Sequence, residues 1–275
     1  MSLPLIAALV LAATPAPHGP TLATEDTMHT EVPEVLVHAP RVTLDEILDR
    51  VARGETHRDS LIHDQVFTLA ARLVSHVGEP KHAPELLSEE ITKVYKKKPD
   101  HVRAITLRKW QKKPPKKEND DETVSVDFSS DTSEEIVNFA FRPANRRDFR
   151  FHIAGRDLIG DHLVYRIAFE PRTTLDPSIP SGLVWVDTND FVIVRQEVRF
   201  DRSPVPIFLK DVNKMVIERT QVDSLWVLSR VLMRATFTVS LPEVGRGIDL
   251  SLQFSDYSIN QGVPDSLFTA RGGKR

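Results

Sequence analysis

The chain has 275 residues, a formal net charge of −3, 40% hydrophobic and 27% charged residues, and no cysteine. That mix can bury a core, which excludes wholesale disorder, and the slightly acidic balance argues against a nucleic-acid binder. Without cysteine there can be no disulfide scaffold, cysteine–zinc site, iron–sulfur cluster, thiol catalysis or lipid-modified N-terminal cysteine.

The only long apolar run, Leu3 to Ala13, is too short to span a bilayer comfortably. Small residues follow it, and the pattern is that of an export signal over residues 1–16, cleaved near Ala13 or Ala16. No Lys or Arg precedes the run, so a short hydrophobic helix is the alternative. Residues 17–42, rich in Pro, Thr, Glu and His, read as a flexible lead-in, and 43–275 as one domain. Thr43, with Glu46 three residues later, has capping-box spacing. Leu44, Ile47, Leu48 and Val51 then recur at helical intervals, with Gly54 expected to stop the helix.

Beyond the helix the rhythm becomes two-residue alternation. Val66–Val74 and Glu85–Tyr95 fit either a strand or a helix. Val102–Trp110 reads as a strand with Val102, Ala104, Thr106, Arg108 and Trp110 on one side. Further strands are expected over Val124–Phe128, Ile136–Phe141, Leu163–Phe169, Leu183–Val186, Phe191–Phe200, Met215–Val222, Trp226–Leu241 and Ile248–Tyr257. Asp187-Thr188-Asn189-Asp190 and Gln221-Val222-Asp223-Ser224 have hairpin chemistry. No helical pattern separates the later strands, so the fold class is mainly β, a long antiparallel meander. Many strands carry one apolar and one polar face, as in Ile248, Leu250, Leu252 and Phe254 against Asp249, Ser251, Gln253 and Ser255. Such a sheet must cover its apolar face with a helix, a second sheet or a ligand. The few predicted helices leave room for an unfilled apolar concavity, and a fully packed core is the alternative.

Catalytic constellations are scarce. There is no Gly-x-Ser-x-Gly elbow, P-loop, Gly-x-Gly-x-x-Gly fingerprint or His-Glu-x-x-His, and the ten histidines are scattered. No catalytic residue, metal site or cofactor is therefore assigned. A basic stretch ending in Lys112, Lys113, Lys116 and Lys117 is followed at once by acids from Glu118 to Glu135. These four lysines are candidates for contact with anionic lipid, and a self-neutralising loop is the alternative.

Phe149-Arg150-Phe151-His152-Ile153-Ala154-Gly155 and Leu163 to Pro171 precede Gly182-Leu183-Val184-Trp185-Val186-Asp187. Phe191-Val192-Ile193-Val194-Arg195 returns after a turn, and Tyr257-Ser258-Ile259-Asn260 stands before Val263-Pro264-Asp265-Ser266-Leu267-Phe268. Together these resemble the LolA/LolB-like outer-membrane lipoprotein-sorting superfamily, over roughly residues 43–270. The resemblance implies a curved antiparallel sheet, or incomplete β-barrel, with a helical lid over an apolar cavity. It further implies a non-enzymatic, soluble periplasmic binder or carrier of lipid or lipoprotein acyl chains. With no cysteine to acylate, the LolA-like version is expected. Candidate cavity residues are Tyr165, Ile167, Phe169, Trp185, Ile193 and Leu252. An envelope sensor or protein-interaction module on the same fold is the alternative, with an envelope protein and peripheral membrane contact as further partners and no nucleic acid.

Overall fold

The computed structural model describes residues 42–76, 84–112, 139–173, 179–200, 209–241 and 245–269. The signal, almost all of the lead-in and the expected strand Val124–Phe128 lie outside them, as do Lys113, Lys116 and Lys117.

Thr43 caps the first helix as its spacing predicts: its hydroxyl accepts the Glu46 backbone N–H at 3.2 Å. This helix, α1, runs over Leu44–Leu61 and does not stop at Gly54. Glycine costs a helix only about 1 kcal/mol, and here the lack of a side chain is needed. A Cβ at position 54 would stand 2.5 Å from the Asp190 carbonyl oxygen and 2.6 Å from that of Phe191. The helix thus lies directly on backbone and continues past it.

Ten strands follow: β1 (Asp64–His76), β2 (Glu85–Lys97), β3 (His101–Gln111), β4 (Phe149–Ile159), β5 (His162–Pro171), β6 (Ser181–Asp187), β7 (Ile193–Arg199), β8 (Leu209–Val222), β9 (Leu225–Leu241) and β10 (Gly245–Ile259). Both segments of mixed reading, Val66–Val74 and Glu85–Tyr95, are strands. Of the expected strand Ile136–Phe141, residues 136–138 lie outside the described residues and Phe139–Phe141 is instead a 3-10 turn, followed by the short helix α2 (Pro143–Arg146), whose first position suits proline. A last short helix, α3 (Ser266–Thr269), follows β10.

All ten strands form one antiparallel sheet in the order β3-β2-β1-β10-β9-β8-β7-β6-β5-β4, not closed into a barrel. The first and last strands pair in its middle, with Gln65 opposite Ile259. Asn260, at φ 55°, locks that junction. Its side chain accepts the His63 and Asp64 backbone N–H groups and donates to the Leu61 carbonyl.

One buried cluster gathers Phe67 of β1, Val94 of β2, Phe149 of β4, Ile167 and Phe169 of β5, Val184 and Val186 of β6, Ile217 of β8 and Leu250, Leu252 and Phe254 of β10. Strands from both flanks of the sheet share this single core, so the sheet curves around its apolar face. Among the described residues the helical segments contribute the buried Ile47, Leu48, Val51, Ala140 and Phe141.

Candidate functional site

Pairing sorts the expected cavity residues. Tyr165 lies opposite Val186 and Ile167 opposite Val184, so these four share the core face. Tyr165, Ile167, Phe169, Ile193 and Leu252 are all buried in the one core cluster. Trp185 is not brought together with them. It stands between Val184 and Val186 in the pleat, is paired with Arg166 and Arg195, and therefore projects from the opposite face. There it packs with Val164, Val192, Val194 and Trp226. Its indole N–H donates to Asp157 Oδ2 at 2.9 Å and the Arg195 guanidinium lies 5.2 Å from its ring centre.

Trp185 borders an open groove of about 730 Å³, lined also by Asp157, Leu158, Ile159, Val194, Arg195, Glu218, Arg219, Thr220 and Ser229. Its charges are mutually engaged. Asp157 accepts from Arg166 Nη1 at 3.2 Å as well as from Trp185. Arg195 pairs with both Glu218 and Glu197, Arg230 Nε donates to Glu218 Oε2 at 2.8 Å, and Lys214 reaches Glu197 at 3.2 Å. Burial pushes the Glu197 carboxyl up. Hydrogen bonds and charge from Arg195 and Lys214 more than offset this, so it sits below its ordinary 4.5.

On the interior side the sequence reading missed a polar device. Glu55 of α1 is 5% exposed and Arg219 of β8 is 7% exposed. Arg219 Nη1 donates to Glu55 Oε1 and Oε2 at 2.7 and 3.0 Å and to the Ile193 carbonyl at 2.9 Å. Glu55 Oε1 also accepts the Ile193 backbone N–H at 2.7 Å, and Arg58 Nη1 donates to the Trp226 carbonyl at 3.1 Å. The helix is thereby tied to three strands. Yet Arg219 Nε and Nη2, and Oε1 of the 2%-exposed Gln196, are buried without a hydrogen-bond partner among the described residues. Gln196 is paired with Ile217, two residues before Arg219, so both side chains are on the core face. A buried donor or acceptor left unmet costs roughly 1–3 kcal/mol. The only sequence signal was the spacing of Glu55 and Arg58 on one helix face.

Lys112, the described member of the lysine candidates, bonds within the sheet. Its backbone N–H donates to the Leu87 carbonyl and its Nζ to Glu85 Oε2 at 2.8 Å. Among the described residues there is no group of three or more His, Asp or Glu placed to hold a metal, and no helix long and apolar enough to cross a membrane.

No protein-family model and no curated protein matches the chain. Solved structures do. A DUF1329 family protein from Desulfovibrio piger is 14% identical with a TM-score of 0.42, covering 81% of this chain and 97% of that one. A LolA superfamily protein from Nitrosomonas europaea is 16% identical with a TM-score of 0.33, covering 83% and 98%. The lipoprotein LppX of Mycobacterium tuberculosis is 10% identical with a TM-score of 0.28, covering 81% and 99%. The superfamily that the sequence resembles is thus among the structures found. Likenesses at these TM-scores say nothing about ligand or partner.

Proposed function

We propose that this protein is a non-enzymatic, periplasmic binder and carrier of acyl chains, which it holds against the concave apolar face of its sheet. One observation carries the reading: an apolar sheet face built from nine of the ten strands meets, among the described residues, helical segments that contribute five buried apolar side chains. A sheet face that broad needs a cover, and an acyl chain supplies apolar surface of the right kind. Tyr165, Ile167, Phe169, Ile193 and Leu252 would line the chain's path. The unmet donors of Arg219 and the unmet Gln196 oxygen would receive the polar end of the ligand, since buried polar atoms seek partners. Trp185, on the other face, is outside this site. The export-signal pattern expected over residues 1–16 supports an envelope location.

The test is a chain-length series. Protein recovered from the periplasm, its mature N-terminus sequenced, is stripped of lipid and titrated with saturated fatty acids in competition with a fluorescent one. Each added methylene is worth about 0.8 kcal/mol, so affinity is expected to rise about fourfold per methylene until the site is full. Affinity independent of chain length, or native mass spectra showing a bound protein and no lipid, would overturn the reading in favour of an interaction module.

A further inference from the structure

The outer face of the β1–β3 end of the sheet has a composition unlike the rest of it. Across the strands, Arg72 is opposite Glu89, Glu89 opposite Trp110, Lys93 opposite Ile105, and Arg103 opposite Tyr95. Direct cross-strand partners share a face. This one is opposite the core, because the neighbouring pair Phe67 and Val94 points inward. A bulge between Thr106 and Arg108 turns Arg108 and Trp110 outward, onto the face of Arg103 and Ile105. Four basic side chains, Arg72, Lys93, Arg103 and Arg108, thus share this face with Trp110, which is 43% exposed, Arg103 also donating to the Leu267 carbonyl of α3. The acid among them, half-buried Glu89, is already matched by Arg108 at 3.4 Å. The side chains of Arg72 and Lys93 have no hydrogen-bond or ion-pair partner among the described residues.

We propose that this face is a docking surface for an anionic lipid bilayer. The positive surplus complements anionic head groups, each basic residue near such a surface being worth about a fivefold gain in binding. Trp110 has an apolar body and a polar N–H, the chemistry that settles at a membrane–water interface. A second copy of the chain would bring like charges together. An extended peptide covers a strip one strand wide, whereas the charges here are spread over three strands, about 10 Å across. The surface is separate from the interior that would hold an acyl chain, so either property can fail without the other.

Flotation of the full chain with vesicles tests it, using phosphatidylcholine alone or mixed with phosphatidylglycerol. Binding is expected only to the anionic vesicles and is expected to fall as salt rises. Lys93→Gln should weaken it about fivefold and Arg72→Gln with Lys93→Gln about twenty-five-fold, while Lys93→Arg retains it. Circular dichroism confirms that each variant is folded. Trp fluorescence should shift to shorter wavelength on the vesicles, and Trp110→Phe should remove that shift although Trp185 and Trp226 remain. Equal binding to neutral vesicles, or unchanged binding by the double variant, overturns the proposal. So does poly-glutamate that binds as tightly as the vesicles and produces the same Trp110 shift, which would assign the face to an acidic protein.

Discussion

Glu55 carries its charge into a site that is 5% exposed, where the Arg219 guanidinium and the Ile193 N–H meet it. Two charges taken from water gain little net stability from each other, but stranding one of them is expensive. Glu55→Ala is therefore expected to destabilise the fold by about 3–5 kcal/mol, since Arg219 then keeps its charge without its counter-ion. Replacing both, Glu55→Leu with Arg219→Met, should recover most of that loss. Urea denaturation of Glu55→Leu, Arg219→Met and the double variant measures this, and simple additivity would refute the coupling. The pair is 164 residues apart in sequence, so nothing local announced it. An acid and a base acquire significance only when the fold buries them together.

At the scale of strands, β6 and β7 come unusually close where Gly182 meets Glu197. A Cβ built on Gly182 would lie 2.0 Å from the Glu197 carbonyl oxygen, a backbone atom that cannot swing aside. Gly182→Ala should cost at least about 1–3 kcal/mol, the range for overfilled cores, read as a lowered thermal midpoint. A midpoint equal to the parent's would show that the strands separate freely. The Gly-Leu-Val-Trp-Val-Asp motif thus has a steric reason for its first residue. Alternation revealed most of the strands, and in β10 it also separated Leu250, Leu252 and Phe254 from their polar neighbours. It failed at irregularities. Val102, Ala104, Thr106, Arg108 and Trp110 looked like one row until the bulge divided it. In β9 the shift beside Glu218 and Arg219 brings Leu228 and Val231 into one core despite their opposite parity. Trp185 shows a further limit: alternation separates two faces without saying which one closes on the core. That is decided by Tyr165 and Ile167 on a neighbouring strand, and hence by register.

The whole molecule is balanced by cations holding carboxylates in charged form at widely separated places. Glu197 lies below 4.5 for the reasons given above. Burial raises Glu90, but hydrogen bonds from Thr106 and Thr92 and the charge of Lys109 bring it below the same value. A hydrogen bond from Arg146 holds Asp49 below 3.8, and one from Lys97 does the same for Asp265. A carboxyl whose pKa is depressed by folding stabilises the folded state above its ordinary value, and that stability is lost as pH falls through the folded value. Stability should accordingly be level near neutrality and decline as pH drops below about 4.5. Glu197→Gln should make the decline shallower. A pH series of urea midpoints checks this, and an unchanged slope in Glu197→Gln would count against it.

The meeting of β1 with β10 in mid-sheet bears on how the chain is made. Strands β1, β2 and β3 can pair with one another early, yet their attachment to the larger meander waits until β10 exists. Contacts between residues as far apart in sequence as Gln65 and Ile259 are slow to form, and until then both sides of the seam expose edges that could find other partners. The final structure is therefore withheld until β10 has been made.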